Sequence, residues 1–418
     1  MIESNRLCRI MIKDMKTRIS KLNIDFDFEA YWEIIYLILL AFFVGMRFLL
    51  STMFTIYWPK YFYRTLTVIG VVLVLLHLMM AKDISKKEIA AMLVVTFVFM
   101  MSHYVSGYDF LVDLLILILG AYRVNFRNIL KTYIAVWSVM LVVTIVGAMT
   151  GVAENLVYYQ GESGERVRMA LGICYPTDLA AYVAFLMFAY VCVRDEYITY
   201  LEIGVMAALA GAVYYITDAR TDFIVVEMLV VVVLLAKKFK KQFEKLMNKK
   251  WVKIAYVLFP IILCIMVYAL SIGFDYDNDL LVSLNEKMSN RLLMGRTTFD
   301  NYSINGFGQY VFEQGSGGHT EFGTFYFFID SSYLSIGIKY GVVMLSLLWV
   351  EFAMTMKKMK GKGKYYSFLV MFMIFTQSIM EHHYIQYWYN PFLLVAFADY
   401  YISEERCDDN KFNLLNLN

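Results

Sequence analysis

The side chains able to do chemistry in this chain are few and confined to a handful of places. Arg166, Arg168, Arg220, Arg291 and Arg296 carry planar guanidinium groups, whose forked donors suit bidentate binding of phosphate oxygens. Asp330, Glu381, His319 and His382 are of the types that take a proton from a hydroxyl. Arg291, Arg296, His319 and Asp330 share one polar stretch, 274–330, with glycines at 306, 308, 315, 317, 318 and 323. No Gly-Lys-Ser/Thr follows those glycines, so they do not form a phosphate-binding loop, and flexibility is their expected role. Glu381, His382, His383 and Asp330 have metal-ligating side chains. Adjacent histidines on a helix point about 100° apart, however, so no metal and no cofactor is expected there. Cysteines at 8, 174, 192, 264 and 407 lack any CxxC spacing, which indicates neither a disulfide framework nor a zinc site.

The elements that must hold these groups are membrane spans. A chain of 418 residues that is 60% hydrophobic and 17% aromatic, with a mean hydropathy of +0.57, is too apolar for a water-soluble domain. Its apolar blocks are about 17 to 25 residues long, the length a helix needs to cross roughly 30 Å of hydrocarbon. The expected architecture is therefore all-α and polytopic, with about 12 transmembrane helices and one large extracytoplasmic loop. Helices one to nine fall in 31–272, the loop in 273–330 and helices ten to twelve in 331–402, the last three at 331–356, 365–380 and 389–402. The fourth, 107–122, and the last are short enough for a re-entrant or tilted element to replace either. Residues 1–30 form a basic amphipathic tail, read equally well as an interfacial helix or as a disordered segment, and 403–418 form a second tail. No secretory signal peptide is visible.

Charge assigns the sides. With an inside amino terminus, 28 of the 38 lysines and arginines fall on one side and eight on the other, with Arg47 and Lys339 inside spans. The positive-inside rule then makes both termini cytoplasmic and places the 273–330 loop outside. The basic run 237–253 is an orientation signal on this reading, and no nucleic-acid partner is expected. The arginines singled out above lie outside, where orientation gives them no purpose. Leu281, Leu284, Met288 and Leu292 have helical spacing and predict an amphipathic surface helix that carries Arg291. Arg47, Asp113, Asp178 and Lys339 fall in the outer halves of spans, where they are expected to line a pocket continuous with the loop.

In this context the sequence resembles the Wzy-type polymerases of O-antigen and capsular polysaccharide. The resemblance rests on the order of short motifs: Arg166-x-Arg168-x-x-Leu171-Gly172 before a helix opened by Pro176, the Ala219-Arg220-Thr221 turn between spans, and a long outer loop. Within that loop come an arginine-bearing helix, Tyr302-Ser303-Ile304-Asn305-Gly306-Phe307-Gly308, and then Asp330-Ser331-Ser332-Tyr333 entering the next span. Ser331-Ser332 stands where that family often has Asp-Asn. The resemblance implies a membrane enzyme that joins undecaprenyl-diphosphate-linked oligosaccharide repeat units into capsule, O-antigen or exopolysaccharide. It would act at the outer face of the bacterial cytoplasmic membrane, among membrane lipids, with a flippase and a chain-length regulator as further partners. A metal-independent, inverting glycosyl transfer needs one base, and Asp330 or Glu381 is expected in that role because rigid elements hold both. His319 would contact sugar. The arginines, Tyr333 and His382 would bind diphosphate or sugar. Two alternatives remain: a ligase that moves the finished glycan to another acceptor, and a flippase or transporter. A transporter should show related halves and charge near the midplane, whereas here the halves look unrelated and the charge, Glu227 apart, lies towards the outer edge.

Overall fold

The computed structural model describes residues 28–55, 61–160, 166–315, 326–360 and 365–400, so both predicted tails lie almost wholly outside the described residues. In chain order the first helices are α1 (Phe28–Leu50), α2 (Phe62–Met80), α3 (Lys86–Ser106), α4 (Phe110–Gly120) and α5 (Phe126–Met149). An antiparallel hairpin follows, β1 (Val157–Gln160) and β2 (Arg166–Met169), with Tyr158 opposite Arg168; an all-α expectation did not include it. Next come α6 (Pro176–Arg194), α7 (Tyr200–Thr217), α8 (Arg220–Lys238), α9 (Lys240–Met247) and α10 (Lys250–Ile272). The polar stretch contributes α11 (Asp279–Lys287) and α12 (Arg291–Asn301), and the chain then forms α13 (Ser332–Ser335), α14 (Val342–Lys360) and α15 (Tyr365–Gln377).

Seven of these, α1, α2, α3, α5, α6, α7 and α10, are long and apolar enough to cross a membrane. Their outward side chains, such as Val68, Val139, Val142 and Ile265, are exposed, as lipid-facing residues would be. Helix α6 runs through the centre, packed by α5, α7, α8 and α15. Its buried Ala180, Ala181, Ala184 and Ala189 let those neighbours approach closely. Helix ends are set locally. Ser85 with Glu88 and Thr199 with Glu202 form capping boxes on α3 and α7, and Pro176 sits in the first turn of α6.

Two expected spans depart from simple helices. Over 331–356 the helical turns of α13 continue as a π turn, Ile336–Tyr340, and stop at Gly341, where φ is +96° and α14 begins afresh. The break has a steric cause, because the 302–311 backbone crosses it. A Cβ on Gly341 would lie 2.2 Å from the Gly306 carbonyl oxygen, and one on Gly308, where φ is +85°, would lie 2.1 Å from that of Lys339. These two glycines therefore permit close backbone approach; flexibility, the role expected of the loop glycines, is not what fixes Gly308.

The expected last span, 389–402, is not an α-helix over its described part. After α15 the chain continues as turns with short 3-10 segments at His383–Ile385 and Pro391–Val395. Pro391 lacks the amide hydrogen a helix needs and disfavours helical geometry at Asn390. Irregular backbone is tolerable among membrane helices only when its polar groups are satisfied within the protein. Here Tyr133 donates to the Tyr387 carbonyl at 2.7 Å, Trp137 to that of Trp388 at 3.0 Å, and Asn390 to that of Tyr384 at 2.7 Å. The segment ends beside the start of α5, where the Asp399 amide donates to the Val124 carbonyl at 2.8 Å and the Asp399 carbonyl accepts from Phe126.

Candidate functional site

The polar groups converge where α6, α8 and α12 begin and α15 ends. Arg291 is the hub. It opens α12 because the single amphipathic helix expected through Leu292 is broken at Ser289 and Asn290, which have φ of +53° and +64°. Asparagine tolerates that left-handed conformation, and Asn285 fixes the turn by donating to Asn290 Oδ1 at 2.9 Å while accepting from the Leu293 amide. From this position Arg291 Nε donates to the Met380 carbonyl at 2.8 Å and lies 3.6 Å from Asp330 Oδ2, while Nη2 is 3.4 Å from Glu381 Oε1. The structure thus brings Arg291, Asp330 and Glu381 together from segments far apart in sequence.

Ser331 and Ser332 have a structural task at this junction. Ser332 Oγ donates to the Glu381 carbonyl at 2.5 Å and accepts from the Tyr384 amide, and Ser331 Oγ donates to the Ser378 carbonyl at 3.3 Å. Together they lock the turn after α15 against the chain that carries Asp330. Tyr333 points elsewhere: it is buried, and its hydroxyl donates to the Phe375 carbonyl at 3.0 Å.

Glu381 is almost fully enclosed, whereas 24% of the Asp330 side chain remains exposed. Burial raises the Glu381 carboxyl well above its ordinary range; Arg291 opposes this, and Asp222, Asp330 and Asp178 add to it. Burial also raises Asp330, with Arg291 opposing and Glu313 adding. Arg291 itself is raised, its acid neighbours outweighing the cost of burial.

A second layer lies behind Glu381. His383 is buried, with Nδ1 3.0 Å from Gln386 Oε1 and Nε2 3.9 Å from Glu381 Oε2 and 4.0 Å from Asp178 Oδ1. The His382 ring packs on those of His383 and Phe328, with centroids at 4.3 and 4.8 Å. Asp222 is buried and accepts from Gln377 Nε2 at 2.5 Å. Glu381, His382 and His383 do not ride on an α-helix, the placement that would splay the two histidines. They follow the end of α15 instead, and their ligand atoms lie within 4.8 Å of one another.

Of the remaining arginines, Arg166, Arg168 and Arg220 flank this cluster. Arg168 Nε donates to the Thr217 carbonyl at 2.8 Å, its guanidinium is pushed down by burial, and it lies within electrostatic reach of Glu381 and Arg291. Arg166 pairs with Asp218, and the mostly exposed Arg220 lies 3.8 Å from the same carboxylate. Arg296 sits apart, donating to the Ile272 carbonyl at 2.7 Å and pairing with Asp300 at 3.1 Å. His319 lies outside the described residues.

Of the charges expected to line a common pocket, only Asp178 joins the cluster. Arg47 is paired with Asp113 at 3.0 Å, and Lys339 with Glu313 at 2.7 Å, ringed by Tyr108, Phe328 and Tyr340. Asp222 carries no expectation from the sequence, and His383 enters there only as a metal-ligating side chain judged badly placed for chelation. Both Asp178 and Asp222 lie in the first turn of an apolar helix, a placement visible in sequence that marks them as facing one end of the bundle.

No protein-family model, no curated protein and no solved structure matches this chain.

Proposed function

We propose that this chain is a polysaccharide polymerase that joins undecaprenyl-diphosphate-linked oligosaccharide repeat units at the outer face of the bacterial cytoplasmic membrane. In this reading both termini are cytoplasmic, and the irregular stretch before residue 400 makes the twelfth passage in place of a helix. The observation that carries it is the Arg291 hub, which holds two carboxylates from different segments at one end of the bundle, beside Arg168. That end lies opposite the basic 237–253 run, on the side the charge pattern assigns to the exterior.

The chemistry follows from the charges. Outside the cell there is no pool of nucleotide sugars, so a donor sugar must arrive already activated in the membrane. A polyprenyl diphosphate meets that need. Asp330, the more accessible carboxylate, removes the proton from the acceptor hydroxyl. The oxygen attacks the anomeric carbon of the donor chain from the side opposite the diphosphate. The carbon–oxygen bond to diphosphate breaks, and undecaprenyl diphosphate leaves with the electron pair. Arg166 and Arg220 share Asp218 as acid partner, and with Arg168 they place cationic donors where the leaving diphosphate gains charge. Arg291 is the positioning residue that orients both acids.

The test in cells is the surface glycan of a deletion strain. Polymerase function predicts a ladder collapsed to one repeat unit. Long chains left unattached would identify a ligase, and normal long, attached glycan would overturn both.

A further inference from the structure

Asp330 is held from both sides along the chain, and the two anchors differ in kind. After it, Ser331 and Ser332 are tied to carbonyls at the end of α15. Before it, the Ile329 amide donates to Glu313 Oε1 at 3.1 Å, and the other oxygen of that carboxylate accepts from Lys339 Nζ at 2.7 Å. Glu313 and Ile329 lie on facing segments, since Gln314 and Phe327 exchange both backbone hydrogen bonds, at 2.9 and 3.1 Å. The ion pair is enclosed, with 7% of the Lys339 side chain and 14% of that of Glu313 exposed. An exposed pair would contribute little, whereas one screened from water fixes its carboxylate in place.

Lys339 is itself fixed. It rides on the π turn at 336–340, where the Gln309 amide donates to the Lys339 carbonyl at 3.2 Å and Ser102 to that of Tyr340 at 2.6 Å. Its ammonium lies 5.3, 5.7 and 5.9 Å from the ring centres of Tyr108, Tyr340 and Phe328. Rigid structure therefore runs from the π turn through Lys339 and Glu313 to the residue next to Asp330.

We propose that Glu313 is a second positioning residue for the transfer step: clamped by Lys339, it fixes the Ile329 amide and so the approach of Asp330 to the acceptor hydroxyl. The catalytic part of this role rests on the polymerase reading; the anchoring does not. Glutamine cannot take its place. Two donors, the Ile329 amide and the Lys339 ammonium, face the two oxygens of Glu313, and a carboxamide offers one oxygen and a further donor.

The Glu313 charge has a second effect. Burial raises the Asp330 carboxyl, Arg291 opposes this, and Glu313 adds to it. Glu381, Asp178 and Tyr326 are the other titratable groups within electrostatic reach of Asp330. A negative neighbour disfavours ionisation, so removing the Glu313 charge lowers the pH at which Asp330 becomes a base.

The test compares two full-length variants that leave no unpaired charge. Glu313→Gln/Lys339→Met keeps an acceptor for the Ile329 amide, and Glu313→Met/Lys339→Met does not. Exchanging a buried ion pair for neutral side chains is often harmless to stability, so both should fold. Hydrogen exchange over 326–331 reads the anchor, and elongation of synthetic lipid-linked repeat units reads its effect. The titration of Asp330 is read from the carboxyl infrared band that Asp330→Asn removes in each background. The second variant should exchange and elongate about tenfold worse than the first, the cost of one buried donor left unsatisfied. Both should titrate Asp330 at a lower pH than wild type. Equal exchange or equal elongation in the two variants, or an Asp330 midpoint that stays at the wild-type pH, overturns the proposal. If the second variant fails to fold, the Asp330 midpoint of the first decides. A folded wild type that elongates nothing overturns the polymerase reading instead, and exchange and titration still decide whether Glu313 anchors Asp330.

Discussion

Replacing Arg291 by lysine keeps the charge and removes the fork, and the structure allows the cost to be worked out. Arginine serves three acceptors at once: the Met380 carbonyl at 2.8 Å, Asp330 at 3.6 Å and Glu381 at 3.4 Å. A single ammonium at the end of a flexible stem cannot span all three. The Met380 bond is charge-assisted and worth about 1.5–3 kcal/mol, while the carboxylate contacts are longer and count for less. If the fork is what holds Asp330 towards the acceptor, losing about 2 to 3 kcal/mol of transition-state stabilisation lowers the rate roughly 30- to 150-fold, at about 1.36 kcal/mol per decade. Arg291→Met is the less informative variant, since the buried Glu381 left without its cation costs about 3–5 kcal/mol of stability. The assay is elongation of synthetic lipid-linked repeat units by purified Arg291→Lys protein, with abundance and melting temperature measured alongside. Normal folding with a rate within threefold of wild type would refute the positioning argument.

Other outcomes follow from the same geometry. Burial raises Asp330, and a base must be ionised to act, so activity should fall on acidification at a pH above the ordinary carboxylate range of about 4; an acid limb of kcat/KM at or below that value would deny Asp330 the role. Gly308→Ala would drive a methyl group into the Lys339 carbonyl at a φ of +85°, so detergent-solubilised protein should melt well below wild type; an unchanged melting curve would show that the loop does not cross the Gly341 break. Cysteines introduced at Gly317 and Lys245 should react with an impermeant thiol reagent on intact cells only at 317, and labelling at 245 would invert the topology. His319→Ala should weaken elongation without abolishing it; a dead variant would make the histidine the base.

How much of this was legible in the sequence depends on the physical signal each feature carries. Apolar runs of span length announce their helices, and seven such helices are present among the described residues. The segment after α15 deceived because its composition, Tyr-Trp-Tyr-Asn-Pro-Phe-Leu-Leu-Val, is as apolar as a span. Its irregular backbone is held by Tyr133 and Trp137, partners some 250 residues away that no local pattern reveals. The meeting of Arg291 with Asp330 and Glu381 was half visible. Each residue stood out by type and side, but their pairing required the left-handed turn at Ser289-Asn290 and the serine lock at 331–332. Arg47 and Lys339 misled for the opposite reason, since an intramembrane charge signals a pocket and a closed ion pair equally well, and the structure gives each its partner. His383 was hidden by the assumption of a helix, which would have splayed it from Glu381.

The most direct test of the polymerase reading is reconstitution. The purified chain in lipid nanodiscs is supplied with undecaprenyl-diphosphate-linked repeat unit from its own host and no other protein, and the products are resolved by size. A polymerase should give a ladder of lipid-linked oligomers with release of undecaprenyl diphosphate, and the ladder should be lost in Asp330→Asn. Repeat units that stay monomeric with the folded wild-type chain, or a ladder that persists in Asp330→Asn, would contradict it.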